Sequence, residues 1–309
     1  MHLRGIHHIT AITADARRNL DFHGRVLGLR FVKKTVNFDA PDFYHLYYGD
    51  ELGSPGSILT FFEFPDARRG RAGVGMIHRI IWRVAGKRAL EFWTERLAAE
   101  GVASRQEPGA LVFEDPEGLE LELVAQHSDD PPLAARHAEI PQEHALLGLA
   151  GVRAYGANPE VSHRLLTQAL RFTPLIDGAG HRLKGHGREA LYHYDLPPAE
   201  APLEGAGTVH HIAWACDDED QPAWRERVAA EYLYPTEIID RTYFRSVYFR
   251  EPSGVLFEIA TLGPGFTVDE PAEHLGETLQ LPPQHEQMRA RLEQSLTPLS
   301  NPRSGAVKH

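Results

Sequence analysis

The sequence predicts an α+β fold of four βαβββ modules, paired into two domains that each hold a curved mixed sheet forming a cup. The first observation is a repeat: a strand, an amphipathic helix and further strands recur from near residues 5, 75, 148 and 207. The second is that two of the copies match without a gap at both their first and their closing strands. A module of this size with one amphipathic helix cannot cover its own sheet, so the modules are expected to pair.

The first module begins at Gly5. Asp15 is suited to cap a helix that runs to Leu27, and Gly28 is suited to end it. Apolar, β-branched and aromatic runs after the helix predict strands over 29–36, 43–48 and 57–64.

The remaining modules repeat this order. The second module has a predicted helix over 87–100 and strands over 110–114 and 119–124. The third has a predicted helix over 158–170 and strands over 172–176, 181–184 and 189–196. The fourth has a predicted helix opened by Asp220 and strands over 238–243, 246–250 and 255–261. The predicted domains are 1–127 (modules one and two) and 146–264 (modules three and four), joined by a polar linker at 128–145. A tail at 265–309 is predicted to hold a surface helix over 283–296 and a frayed end from residue 297.

Composition narrows the class of protein. A hydrophobic fraction of 42% and a charged fraction of 24% are typical of a soluble globular protein, and no apolar run is long enough to span a membrane. Cys216 is the only cysteine, which excludes an intrachain disulfide and a thiolate zinc cluster and favours the cytoplasm. The net charge of −11 argues against a general nucleic-acid binder. A homo-oligomer is compatible with the composition.

The gapless match assigns equivalent positions. Residues 75–82 align with 207–214, and an acidic-Pro-x-Gly turn at 115–118 aligns with the turn at 251–254. In both closing strands the fourth residue after the turn is a glutamate, so Glu258 is equivalent to Glu122. His211 is likewise equivalent to Arg79.

These equivalences predict where a metal site can form. Adjacent strand residues point to opposite faces, so one histidine of each His-His pair can face a shared cup. Module one offers His8, and module four offers His211 and Glu258. Module two offers Arg79 and Glu122, which can form an ion pair but not a metal site, and module three offers small or apolar residues near 150–152.

Pairing modules one and four therefore gives two histidines and one carboxylate. Such a face with open positions suits non-haem Fe(II), because substrate and O2 must both reach the metal. Thr60 stands where a fourth ligand would be expected, and threonine is a poor ligand. The ligand count favours an oxygenase over an isomerase or lyase.

Several stretches carry a family resemblance: Gly5-Ile6-His7-His8-Ile9-Thr10, and the segments 30–35, 44–56, 240–258, 265–270 and 275–276. With His and Glu in the repeated slots, the chain resembles the vicinal oxygen chelate (glyoxalase/bleomycin resistance/dioxygenase) superfamily over nearly its whole length. Within it, the chain is similar to the para-hydroquinone ring-cleaving dioxygenases. The resemblance implies metal ligands at His8, His211 and Glu258. It also implies an outer shell, comprising His7, Thr10, His210, Arg241, Tyr243 and Tyr248.

The implied roles follow from side-chain chemistry. Tyr248 could hydrogen-bond a bound phenolate, and Arg241 could stabilise an anionic substrate or superoxide. His7 and His210 could orient the ligands or relay a proton, or could point away from the metal. His45 and His193 are interpreted as structural, with a place in the pocket wall left open.

The resulting hypothesis is a cytoplasmic, Fe(II)-dependent, extradiol-type dioxygenase of aromatic catabolism or detoxification. Its partners are a hydroquinone or related phenol and O2, both of whose atoms enter the product, with Mn, Zn or Ni as metals that the isolated protein could carry. One alternative is a glyoxalase-type lyase or isomerase, active with Zn, Ni or Mn and without O2. Another is a non-catalytic protein that binds a quinone or drug.

Overall fold

Two mixed eight-stranded sheets contain all sixteen strands of the chain's described part, which comprises residues 1–126, 128–176, 178–185 and 188–303 of a computed structural model. In chain order the strands are β1 (Ile6–Thr13), β2 (Arg30–Asn37), β3 (Ala40–Gly49), β4 (Ile58–Glu63), β5 (Ile77–Val84), β6 (Ser104–Glu107), β7 (Ala110–Glu114), β8 (Glu120–Ala125), β9 (Leu149–Tyr155), β10 (Thr173–Pro174), β11 (Gly180–Lys184), β12 (Glu189–Asp195), β13 (Val209–Cys216), β14 (Ile239–Asp240), β15 (Arg245–Arg250) and β16 (Leu256–Thr261).

Each module has one main helix, as predicted. These are α1 (Ala16–Leu20), which continues as a π-helix over Asp21–Val26, α2 (Lys87–Ala99), α3 (Glu160–Arg164), which continues as a π-helix over Leu165–Ala169, and α4 (Gln221–Ala229). Asp15 caps α1 by accepting hydrogen bonds from the backbone N–H groups of Arg17 and Arg18, which confirms the predicted helix start. The tail adds α5 (Arg289–Ser295) and short 3-10 helices at Phe266–Val268, Ala272–His274 and Pro283–Met288, and a further 3-10 helix lies at Gln142–His144. No helix within the described ranges has the length and apolar character needed to cross a membrane.

The sheets combine modules from the two halves of the chain. The first sheet has the order β14-β15-β16-β13-β1-β4-β3-β2 and so joins modules one and four; the second has the order β10-β11-β12-β9-β5-β8-β7-β6 and joins modules two and three. At the centre of each sheet, the first strands of its two modules pair antiparallel: β1 with β13 in the first sheet and β5 with β9 in the second. The pairing predicted from the ligand count is confirmed. The division of the chain at residues 128–145 stays a prediction, and both sheets cross it.

The side chains of β1 point alternately into the apolar core and onto the concave face of the sheet. Ile9 and Ala11 are fully buried in the main apolar core, while His8 and Thr10, which point the other way, line a cavity on the concave side. Because one face of the sheet must exclude water and the other must hold polar groups, the strand cannot slip by one residue without losing both.

Two sequence expectations need correction. Strand β6 was not predicted, because its sequence Ser-Arg-Gln-Glu is exposed and has no apolar alternation. The frayed end predicted from residue 297 is wrong for residues 297–303. Lys34 donates a hydrogen bond to the carbonyl of Leu299, and Asn301 donates to the carbonyls of Phe31 and Leu275, so this segment packs along β2. The rest of the predicted end, 304–309, lies outside the described residues.

Candidate metal centre

Three strands at the centre of the first sheet bring the predicted ligands together. His8 lies on β1, His211 on its neighbour β13, and Glu258 on β16 beyond it. His8 Nε2 lies 3.2 Å from His211 Nε2 and 3.2 Å from Glu258 Oε2, and His211 Nε2 lies 2.9 Å from the same carboxylate oxygen. All three side chains are buried. Two residues of module four, His211 and Glu258, thus direct their ligand atoms to the same place as His8 of module one.

The spacing of these three atoms fits a metal ion. Ligand atoms held about 2.1 Å from a metal at right angles to one another lie about 3.0 Å apart, whereas tetrahedral angles would place them about 3.4 Å apart. The observed separations of 2.9, 3.2 and 3.2 Å match the spacing expected of atoms that share one metal ion, without deciding between the two geometries. Among the described residues, this is also the one set of three His, Cys, Asp or Glu side chains with ligand atoms close enough to share an ion. The donors fit a metal bound on one face, with its other positions open.

Each ligand histidine is preceded in the sequence by a histidine that occupies a β-bulge. Between Ile6 and His8 the β1 strand advances two residues while β13 advances one, so His7 is the extra residue of a bulge. The same pairing shifts again opposite Thr10, where His210 is the extra residue on β13. A bulge breaks the simple alternation of side chains, and bulges commonly re-aim side chains beside active sites.

The bulges turn these extra histidines toward the ligands. His7 Nδ1 lies 2.9 Å from His8 Nδ1, and His210 Nδ1 lies 2.7 Å from His211 Nδ1. Only the second histidine of each pair lines the cavity, as expected, but its neighbour does not point away. Burial, with the nearby His8, lowers the pKa of His7 to about 3, and burial, with the nearby His211, lowers that of His210 to about 4. Both are therefore neutral at pH 7, so each can accept the ligand's Nδ1–H and leave Nε2 free for the metal.

Ser246 fixes the carboxylate. Its hydroxyl donates a 2.5 Å hydrogen bond to Glu258 Oε1, which leaves Oε2 directed at the two histidines. Although burial opposes ionisation, the adjacent His8 and His211 hold the pKa of Glu258 well below its usual range. Ser246 was not predicted. Its position could have been inferred, because it lies two residues before Tyr248 on a strand that pairs with the closing strand.

A cavity opens beside the three ligand atoms. Its wall is formed by side chains from both modules: His8, Thr10, Asn37, Phe38, Asp39, His45, Tyr47, Phe62, His211, Arg241, Phe244 and Tyr248. Tyr248 packs edge-on against the His211 ring at 5.6 Å, and the Arg241 guanidinium lies 5.6 Å from the centre of the Tyr248 ring. Arg241 also pairs with the exposed Asp39 at 3.1 Å. A cation and a phenol therefore stand next to the proposed metal position.

The opposite wall carries a chain of polar groups. Thr10 Oγ1 lies 3.0 Å from Thr60 Oγ1, Thr60 Oγ1 lies 2.7 Å from His45 Nε2, and His45 Nδ1 lies 2.9 Å from the Tyr47 hydroxyl. Thr60, in the slot of a fourth ligand, thus uses its hydroxyl on a threonine and a histidine. Neither Tyr47 nor a role for His45 in this chain was predicted; alternation along β3, which places both on one face, was the available signal.

Tyr243 occupies a different place from the other predicted residues. Its hydroxyl donates to Asp269 Oδ2 at 2.9 Å, and its ring packs on Phe266 and Tyr47. Buried Lys33 pairs with the same Asp269 and with Glu270. Tyr243 therefore ties the segment that carries Arg241 to the C-terminal tail, behind the cavity wall.

The second sheet shows what the equivalent position looks like without metal ligands. Arg79 occupies the place of His211 and pairs with Glu122 at 3.0 Å, as the repeat predicted, and with Glu120 and Glu107. The strand registers place Gly151 where the first sheet has His8. A Cβ on Gly151 would lie 2.4 Å from the carbonyl oxygen of Leu191, so no side chain fits there.

Comparison with known proteins places the chain among related sequences and structures. The model of the Glyoxalase/Bleomycin resistance protein/Dioxygenase superfamily matches residues 5–123. MhqA of Bacillus subtilis (strain 168), provisionally named a ring-cleaving dioxygenase, is 40% identical over an alignment of 315 residues that covers 97% of this chain and 100% of MhqA. A chlorohydroquinone/hydroquinone 1,2-dioxygenase of Sphingobium indicum is 34% identical over 94% of this chain and 95% of its own length. A crystal structure of a B. subtilis protein, provisionally described as a dioxygenase, superimposes with a TM-score of 0.88 at 39% identity and covers 97% of this chain and 98% of that one.

Proposed function

Because the chain belongs to the glyoxalase, bleomycin resistance protein and dioxygenase superfamily, we propose that it opens the ring of a hydroquinone or related phenol with a non-haem Fe(II) ion and O2. Relatives at 34–41% identity over nearly the whole chain are ring-cleaving dioxygenases by name, and the chain is an oxygenase of that kind. The metal, the substrate and the extradiol type of cleavage are the proposed part.

One observation carries the choice of metal. Three donor atoms, two imidazole nitrogens and one carboxylate oxygen, lie 2.9–3.2 Å apart on one side of a point that borders the cavity. This donor set with open positions is typical of Fe(II) oxygenases, and a bound Fe(II) ion would supply adjacent positions for substrate and O2. His8, His211 and Glu258 would hold the ion, while Mn, Zn or Ni could occupy the same site in isolated protein.

Tyr248 and Arg241 are placed to act on the substrate. Burial, with the nearby Glu258, raises the pKa of Tyr248 above its ordinary value, so its hydroxyl stays protonated and can donate a hydrogen bond to a phenolate oxygen. The guanidinium of Arg241 adds a positive charge to the same wall, where it favours an anionic ligand. Thr10 also lines the cavity, and its hydroxyl is hydrogen-bonded to that of Thr60.

The aromatic lining excludes water from the ring. The ring centre of Phe244 lies 4.8 Å from that of His7 and 5.0 Å from that of His8. The Phe62 ring lies against His210 and His211. A flat aromatic substrate can therefore be held between apolar faces while its oxygen atoms meet polar groups, which is the usual design of a small-molecule site.

The direct test uses protein loaded with Fe(II) in the absence of O2. Adding hydroquinone and then O2 is expected to consume O2, and labelled O2 is expected to place both atoms in a ring-opened product. Glu258→Gln is expected to lose bound metal and O2 consumption. Glu122→Gln, the equivalent change in the second sheet, is the matched control and is expected to keep both.

Two outcomes would overturn the proposal. One is iron-loaded protein that consumes no O2 with any mono- or diphenol. The other is metal binding that survives Glu258→Gln. A glyoxalase-type lyase would instead act on a thiohemiacetal with Zn, Ni or Mn and without O2; the engagement of Thr60 with His45 and Thr10 leaves its slot without the fourth ligand that such an enzyme would use.

A further inference from the structure

One wall of the cavity is polar in a way that metal binding does not require. Tyr47, His45, Thr60 and Thr10 form a continuous hydrogen-bonded chain with links of 2.9, 2.7 and 3.0 Å. Three of the four line the cavity directly, and Thr60 lies fully buried between them. A buried polar wall in an otherwise aromatic cavity costs desolvation unless its groups are satisfied, and here each is satisfied by the next.

The chain leaves one end open toward the cavity. Both nitrogens of His45 are engaged, one by Thr60 and the other by Tyr47. The Tyr47 hydroxyl has His45 as its hydrogen-bond partner within the described residues, and a phenol oxygen can both donate and accept. It therefore keeps capacity for one further hydrogen bond, and Tyr47 lines the same cavity as Tyr248.

The polarity of that open end can reverse. When His45 carries its proton on Nε2, it donates to Thr60, Tyr47 donates to Nδ1, and the Tyr47 oxygen offers a lone pair to the cavity. When the proton is on Nδ1, His45 accepts from Thr60, which then accepts from Thr10. His45 then donates to Tyr47, whose own proton is directed at the cavity. The neutral form needed for both arrangements is favoured because burial lowers the pKa of His45 well below its ordinary value.

We propose that Tyr47, held by His45, binds the second hydroxyl of a diphenol whose first oxygen lies at the metal centre, and so selects 1,4-diphenols over monophenols. This inference rests on the proposed function, since it assumes that one phenol oxygen binds beside His8, His211 and Glu258. A hydroxyl substituent, which also both donates and accepts, suits either state of the wall. A methyl group at the same place would leave the Tyr47 hydroxyl with its bond to His45 and would add no further hydrogen bond.

The test measures binding without turnover. Dissociation constants of hydroquinone and 4-methylphenol are measured by calorimetry in the absence of O2 with the protein as purified. Wild type is expected to bind hydroquinone about three- to tenfold more tightly, the worth of one net hydrogen bond. In Tyr47→Phe the preference is expected to fall to within twofold, with the affinity for 4-methylphenol unchanged.

Tyr44→Phe is the matched control. Tyr44 lies on the same strand and donates a partly buried hydrogen bond to the carbonyl of Thr297, outside the cavity. It is expected to keep the full preference for hydroquinone. Catechol and 2-methylphenol form a second control pair, because their substituent lies next to the first oxygen; their ratio is expected to be the same in wild type and in Tyr47→Phe.

The outcomes separate this inference from the proposed function. Wild type that binds both para-substituted ligands equally overturns it without any variant, and so does a preference that survives Tyr47→Phe. A change of equal size in the catechol pair overturns it as well. O2 consumption is measured separately, so a protein that keeps the Tyr47-dependent preference but never consumes O2 refutes the proposed function instead.

Discussion

The two bulged histidines lead to a prediction about metal affinity. If His210 holds His211 in place through the 2.7 Å contact between their Nδ1 atoms, then only an acceptor at that position matters. His210→Leu removes the acceptor and fills a similar volume. His210→Asn places an amide oxygen near the position of the lost Nδ1, so it can accept the same proton. Leucine is therefore expected to weaken metal binding, and asparagine is expected to preserve it.

The size of the effect follows from burial. Leaving the buried Nδ1–H of His211 without an acceptor costs about 1–3 kcal/mol, and loss of such supporting hydrogen bonds typically lowers metal affinity about 10- to 100-fold. His210 is half-buried and borders a cleft with Glu204 and Arg250, where water can partly replace it, so about tenfold is expected. His7 is only 2% exposed, so His7→Leu is expected to approach 100-fold.

Metal affinity is measured by competition with a coloured chelator, with the melting temperature of metal-free protein as the control for folding. His210→Leu that binds metal within twofold of wild type would refute the orienting role. Equal losses in His210→Leu and His210→Asn would show that the ring, and not its Nδ1 acceptor, is what matters. An effect of His7→Leu smaller than that of His210→Leu would contradict the argument from burial.

Three further predictions concern the scaffold. Arg79→Met should destabilise the protein by about 3–5 kcal/mol in urea unfolding at pH 8, because it strands the buried Glu122 carboxylate, and should leave bound metal unchanged. Burial raises the pKa of Asp115 to about 7, so the folded state keeps a proton that the unfolded state loses above about pH 4. Stability should therefore fall as pH rises from 4 to 7, and Asp115→Asn should flatten that decline, as urea unfolding across this range would reveal. Burial also raises the pKa of Cys216 to about 12, so iodoacetamide at pH 8 should label it only in unfolded protein, as mass spectrometry would show.

The sequence predicted the module order and the convergence of His8, His211 and Glu258 because both rest on residue type at repeated positions. The alignment of Arg79 with His211 and of Glu122 with Glu258 assigns each side chain to a strand face from the sequence alone. The pairing of modules one and four then followed from the donor count, since only that pairing brings a carboxylate to two histidines; the antiparallel contact of their first strands was not predicted.

Features that depend on register between distant strands could not be predicted in this way. A bulge is an extra residue on one of two paired strands, so it depends on the register between them. The bulges at His7 and His210 are therefore recognised only when β1 and β13 are paired. The link from Thr60 to His45 likewise crosses from β4 to β3, and nothing in either segment indicates it. The anchoring of the tail by Lys33 joins residues more than 230 positions apart.

The two sheets together argue for a cation in the first. Glu122 and Glu258 occupy equivalent positions on closing strands, and each carboxylate is buried on a concave face. An isolated buried carboxylate is costly, so each requires a compensating positive charge. In the second sheet the guanidinium of Arg79 supplies that charge 3.0 Å from Glu122. In the first sheet the residue at the same position is His211, which burial keeps from ionising readily by lowering its pKa. The proposed metal ion would supply the charge that balances Glu258, and His8 on β1, at a place where the other sheet admits only glycine, would be its third ligand.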